Sequence, residues 1–146
     1  LPKRWFAIVK PGHMMTKTAL IVEDEIFVAL DLERILMDAG YTVAAIAADS
    51  ASAIEAAPGC GFAFVDVNLR DGPTGPGIAE RMARDYGVKV VFVTANPAQI
   101  DRGMDCALGY IRKPFSEAAI LAAAAFATDG EKPANDDIVM LGSNIA

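Results

Sequence analysis

The sequence predicts an α/β protein, a doubly wound parallel sheet of the (βα)5 kind with helices on both faces. Three observations predict it. Short runs of apolar, often β-branched residues alternate with segments whose apolar residues recur at helical spacing. The short runs are apolar from end to end, as strands covered on both faces must be. Gly, Pro or a polar capping residue punctuates the junctions.

Each element follows in order. Thr18–Glu23 reads as the first strand. Glu25–Ala39 places Val28, Leu32, Ile35, Leu36 and Ala39 on one helical stripe, and Gly40 ends it. Thr42–Ala47, small and β-branched, is the second strand. Ser50 or Ser52 caps a short helix that stops at Pro58-Gly59. Gly61–Val65 is a buried strand running into Asp66, and Pro76–Tyr86 is a helix with Ile78, Met82 and Tyr86 on one face. Val88–Val93 is the fourth strand and ends at Thr94. Pro97–Cys106 reads as a short helix, and Leu108–Arg112 as the last strand. Ser116 caps a final Ala-rich helix through Ala127. On that helix Leu121, Ala124 and Ala125 suit the core, which leaves Ile120, Ala123 and Phe126 partly off it as a partner surface.

The chain has 146 residues, 53% of them hydrophobic, enough for one domain with a real core. Its formal charge is −6, and no run of Lys and Arg stands out, which argues against a nucleic-acid surface. Cys60 and Cys106 have no metal-ligand spacing and read as reduced thiols of a cytoplasmic protein. The longest apolar run, Ala118–Ala127, is short of the about 20 residues a bilayer requires, so no membrane role is expected. Residues 1–15 are set aside as an extension or tag, on the strength of Pro11-Gly12 and a junction-like "GHM". His13, the single histidine, lies there and is expected to be inert. Residues 16–128 are the predicted domain, and 129–146 a polar, flexible tail.

Ligands of open parallel sheets collect beyond the carboxyl ends of the strands. There the sequence places Glu23-Asp24 after strand 1, Asp66 after strand 3, Thr94-Ala95 after strand 4 and Lys113-Pro114 after strand 5. Clustered carboxylates without His or Cys make a hard oxygen site suited to Mg²⁺ or Mn²⁺. An aspartate on such a site is a candidate nucleophile for an aspartyl-phosphate. Asp66, alone at its strand end, is the better nucleophile, and Glu23 and Asp24 the better metal holders. A Lys and a Thr hydroxyl would stabilise the transferred group by position and charge.

These residues resemble a known family. The acid pair Glu23-Asp24, the acceptor in "FVDVNL", the Thr-Ala of "VFVTAN" and the Lys-Pro of "YIRKPF", in that order at successive strand ends, resemble the receiver domain of bacterial two-component response regulators. The resemblance implies a flavodoxin-like sheet of order 2-1-3-4-5. It implies Asp66 as phosphoacceptor, and Mg²⁺ held by Asp24, Asp66 and the Asn68 carbonyl, with Glu23 acting through water. It further implies that Thr94 and Lys113 bind the phosphoryl group, that Tyr110 is the switch aromatic, and that Asn68 and Asn96 tune dephosphorylation. The Lys113–Pro114 bond is expected to be cis. Arg70 departs from the family's frequent proline, and is expected to point to water.

The resulting expectation is a stand-alone response regulator of the single-domain type, because about 18 residues follow the last helix. It would take phosphate from a histidine kinase or histidine phosphotransfer protein and would not be an enzyme beyond its own phosphorylation and dephosphorylation. It would then relay the phosphate, or signal to an output protein or a second copy through the last strand, the helix before it and the last helix. The alternatives are a pseudo-receiver that binds partners without phosphorylation, an aspartate-based phosphatase, which Asn68 in place of a second Asp disfavours, and a flavin carrier, which lacks its phosphate loop here.

Overall fold

The computed structural model describes residues 15–101 and 104–142; His13 and the rest of the expected extension up to residue 14 lie outside them, while Met15, expected in the extension, opens the first strand. The strands are β1 (Met15–Val22), β2 (Thr42–Ala47), β3 (Cys60–Val65), β4 (Lys89–Thr94), β5 (Ala107–Arg112) and β6 (Ile138–Met140). The helices are α1 (Ile26–Asp38), α2 (Ser50–Ala56), α3 (Gly75–Tyr86) and α4 (Glu117–Asp129). The sheet runs β2-β1-β3-β4-β5-β6, parallel through the first five strands as expected, with β6 added antiparallel to β5.

Every residue of β3 is buried, and β4 is buried from Val90 onward, because helices cover both faces. On one face Leu32, Ile35 and Leu36 of α1 and Ile120, Ala123 and Ala124 of α4 pack on Ile21, Phe62, Phe64, Val91 and Ile111. On the other, Ala53 of α2 and Ile78, Ala79 and Met82 of α3 pack on Leu20, Val65, Val90 and Phe92. Burying one such Leu or Ile is worth about 1.5–3 kcal/mol. Gly87, in the left-handed region at φ 68°, closes α3, where a residue with a Cβ would be strained.

Four expectations change. Asp49, not Ser50 or Ser52, caps α2, its side chain accepting from the Ser52 amide. Of the helix expected over 97–106, the described residues form only a 3-10 turn at Pro97–Gln99, and residues 102 and 103 lie outside them. After it Ile100 goes extended and buries its side chain, a tertiary contact that overrides local helicity. Ile120 and Ala123, expected partly off the core, are fully buried, while Leu121, Ala125 and Phe126 are half-buried. An Ala-rich helix is apolar all round, so its pattern carries little phase information. Finally, the tail is not flexible throughout: Ile138–Met140 pair with β5, and Ile138 and Leu141 are buried. An unpaired, apolar strand edge is a template that some segment covers, and here the chain's own residues do so.

Candidate functional site

The site is assembled by the ladder β2-β1-β3 continuing past the strand ends. The Glu23 amide donates to Ala47 O at 2.8 Å and the Asp66 amide to Val22 O at 2.9 Å. Those two bonds set the side chains of Glu23 and Asp66 next to each other at the carboxyl edge. With Asp24 they offer oxygens that all lie within 4.8 Å of one another. Glu23 and Asp66 are buried and Asp24 is exposed, so the cluster has dry walls and an open mouth.

Lys113, just beyond β5, reaches into this cluster. Its Nζ lies 2.7 Å from Glu23 Oε1, 2.8 Å from Asp66 Oδ2 and 3.0 Å from Glu25 Oε1. Its main chain is anchored too, the Lys113 amide donating to Thr94 O at 3.0 Å. Burial opposes the ammonium, but hydrogen bonds to Asp66, Glu23 and Glu25 outweigh it and hold the lysine charged well above its ordinary range. Glu23 shows the opposite balance. Its burial, helped by the charge of Asp66, pushes the carboxyl up to about 7 despite the pull of Lys113.

The carboxylates are therefore under-neutralised. Glu23 Oε1 is buried 2.7 Å from the Lys113 ammonium, which it shares with Asp66 and Glu25. Buried carboxylates that outnumber the one ammonium among them, beside Asp24, fit a small divalent cation with oxygen preference. Glu23, Asp24 and Asp66 are the residues that fit it.

The remaining predicted residues are distributed as follows. Asp66 Oδ1 accepts from the Val67 amide at 2.7 Å. Thr94 is fully buried at the end of β4, and its hydroxyl accepts from the Asn96 amide at 3.0 Å. Asn96 itself is exposed. The Asn68 side chain donates to Gln99 Oε1 at 2.8 Å, which closes a bridge over the site's rim. Tyr110 lies in β5 beside Phe92 and opposite Val139, and it is almost fully buried. The Lys113–Pro114 bond is cis. Arg70 points outward, 72% exposed, with its guanidinium 3.9 Å from Asp49 Oδ2.

Two contributors were not legible beforehand. Glu25 is the third acid of the run "EDE", and only the fold shows it reaching Lys113. Gly75 opens α3 against the loop that carries Asp66; a Cβ there would overlap the Asp66 carbonyl oxygen. Its place inside the Gly/Pro-rich stretch 70–77 was the available signal. Alongside the site runs a groove lined by Phe27, Val28, Ala95, Lys113, Pro114 and Phe115, and Phe27 at its rim is 84% exposed.

Comparison with known proteins gives one consistent answer. The response regulator receiver domain family matches residues 19–125. The phyllosphere-induced regulator PhyR of Methylorubrum extorquens is 30% identical over 112 residues, 74% of this chain, and this chain spans only 42% of that protein's length. The solution structure of the PhyR receiver domain of Erythrobacter litoralis superposes with a TM-score of 0.66 at 28% identity, covering 79% of this chain and 94% of that one. The receiver domain of a sensor histidine kinase of Pseudomonas aeruginosa, solved with a magnesium ion in its active-site cleft, gives 0.62 at 25% identity, covering 78% and 98%.

Proposed function

This chain belongs to the response regulator receiver domain family, and from that premise we propose that it accepts a phosphoryl group on Asp66 and signals by the change that follows. The observation that carries the reading is the convergence of Glu23, Asp24 and Asp66 oxygens within 4.8 Å, with Lys113 Nζ 2.8 Å from Asp66 Oδ2. A single lysine that touches both a buried acceptor and a would-be cation ligand belongs to a site built to hold more negative charge than it now does.

In the proposed reaction an Asp66 carboxylate oxygen forms the new P–O bond. The P–N bond of a phosphohistidine in the donor kinase or phosphotransfer protein breaks; the ring already carries a proton on its other nitrogen, so neutral imidazole leaves. Before attack, Lys113 gives up its contact with Asp66 Oδ2, and afterwards it pairs with a phosphoryl oxygen. Asp24, Asp66 and the Asn68 carbonyl, with Glu23 behind them, would hold Mg²⁺ or Mn²⁺, which would supply charge neutralisation to the transferred group. Thr94 gives up its Asn96 contact to bind a second oxygen, and Tyr110, on the neighbouring strand β5 and paired with Phe92 two residues before Thr94, responds. Asn68 and Asn96, at the rim, control the approach of water and thereby the lifetime of the acyl phosphate. The phosphodonor docks along the groove of Phe27, Val28 and Phe115, because that apolar surface is continuous with Lys113.

We place this chemistry in the cytoplasm, as an acceptor in a phosphorelay. Among the described residues no helix is long and apolar enough to cross a membrane. The test is direct. Incubated with Mg²⁺ and a small acyl-phosphate donor, the protein gains one phosphoryl group, labile to hydroxylamine, and Asp66→Asn does not. Equal labelling of the two proteins would refute the assignment.

A further inference from the structure

β5 is the last strand of the parallel sheet, and its free edge is covered by the chain's own C-terminal segment. Gly109 pairs with Met140, Tyr110 with Val139 and Ile111 with Ile138, and the Leu141 amide donates to Leu108 O at 3.1 Å. Two side chains anchor the segment, Ile138 and Leu141, both buried. The connection from α4, residues 130–137 ("GEKPANDD"), is polar and largely exposed. A three-residue strand on an exposed, polar tether belongs to the least protected part of a fold.

β5 is nevertheless shaped for this occupant. Gly109 interrupts an otherwise apolar strand, and a Cβ placed there would lie 2.5 Å from the Val139 carbonyl oxygen, with its next nearest atoms in Val139 and Met140. Glycine inside a strand is unfavourable unless another backbone approaches closely, and the backbone that approaches is this segment. The segment also faces the site. Asp136 and Asp137 line one cavity with Tyr110, Arg112, Lys113 and Pro114.

We propose that the β5 edge is an output surface that takes an extended partner segment by strand addition, and that residues 131–142 are a built-in competitor holding it closed until Asp66 is phosphorylated. This rests on the receiver reading. The partner's chemistry is that of the strap it replaces: an extended stretch with aliphatic side chains spaced as Ile138 and Leu141, its backbone amides pairing with β5. The coupling is electrostatic and positional. Phosphorylation replaces the single negative charge of the Asp66 carboxylate by the about −2 of an acyl phosphate, a net gain of about −1, and re-aims Lys113, and with it the end of β5, from Asp66 Oδ2 to a phosphoryl oxygen. The same charge disfavours Asp136 and Asp137 at the shared cavity. Strap and partner compete for one edge, so a small bias at the site becomes a difference in partner affinity.

The experiment uses the full chain with Mg²⁺, with and without beryllofluoride. Fluorine NMR reports whether the mimic is bound, hydrogen exchange reports protection of residues 138–141, and a fluorescent peptide of the sequence 131–142 is the binding probe. With the mimic bound, exchange in the strap is expected to quicken roughly tenfold or more, and the peptide to bind roughly tenfold tighter. Gly109→Val, a substitution that suits a strand, is expected to leave the strap unprotected in both states and to abolish peptide binding. A bound fluorine signal with unchanged strap protection and peptide affinity overturns the inference and leaves the receiver reading standing. Absence of a bound signal overturns both. A Gly109→Val protein whose strap stays protected overturns the proposed seat; if that variant does not fold, the wild-type comparison decides.

Discussion

Two groups of acids sit at the carboxyl edge of this sheet, and they are built in opposite ways. Glu23 and Asp66 are buried and share one ammonium, that of Lys113, at 2.7 and 2.8 Å. Asp49 and Asp71, in the loops after β2 and β3, are satisfied instead. Asp49 accepts from the Ser52 amide and hydroxyl, and Asp71 from the Ser50 amide and, at 2.7 Å, the Thr74 hydroxyl. Glu23 is pushed up to about 7 by burial, while Asp71 is drawn down to about 2 by its hydrogen bonds. Acids that cap helices and turns are content with neutral donors. Acids held against desolvation around a single ammonium are the ones suited to take a cation.

The largest expected effect separates the groups outright. Asp66→Asn abolishes acyl-phosphate labelling, whereas Asp71→Asn leaves it unchanged, measured as incorporated phosphate by intact mass. Loss of labelling in both would erase the distinction.

The next concerns Mg²⁺ affinity against pH. Glu23 must give up its proton before it can support a cation, so affinity rises as pH increases toward about 7 and levels off above it. Below that point the loss approaches about tenfold per pH unit. Titrations monitored by NMR at several pH values check this, and Glu23→Gln flattens the profile. Without metal the sign for stability is reversed. The raised carboxyl contributes stability that is fully present below 4.5 and is lost as pH rises through about 7.

Smaller again is the effect of Lys113→Ala. It leaves buried carboxylates without their ammonium and is expected to cost about 1–3 kcal/mol in urea unfolding at neutral pH without Mg²⁺. Added Mg²⁺ recovers part of that loss in the variant, because the cation takes over the neutralisation. Arg70→Ala at the other group, removing an exposed pair at 3.9 Å, changes stability by no measurable amount.

The smallest effect is in acid. Asp71 has a depressed pKa, so its stabilisation is present above 3.8 and is lost as pH falls through about 2. Asp71→Asn removes that acid limb while the neutral midpoint stays nearly where it was, as unfolding curves at low and neutral pH compare.

The sequence was most legible where the signal is local. Continuous apolar strands, the stripe Leu32-Ile35-Leu36 with Val28 half-buried, and Ser116 as a cap all depend on neighbours a few residues apart, and the structure matches them; Ala39, expected on the same stripe, caps the helix and is exposed. The site was legible by type because acids at strand ends are expensive and therefore conspicuous. Asp66, Glu23, Asp24 and Lys113 converge as their positions imply. Ile120 was misplaced because alanine gives a helix no polar face from which to read its orientation. The helix expected over 97–106 failed because Ile100 is pulled into the core.

The amino-acid sequence by itself determined the alternation of strands and helices that makes a parallel sheet, the strand-end position of the acids, and the lysine after the last of the five strands, since these follow from periodicity and from residue type at strand ends; the order 2-1-3-4-5 came only from the resemblance to receiver domains. Only the tertiary structure decided that Glu25 shares Lys113, that Gly75 makes room for the Asp66 loop, and that Ile138–Leu141 close the β5 edge. Those contacts join residues that are distant in the chain. Their energy depends on which edges and charges the rest of the fold leaves unpaired, and no local pattern records that.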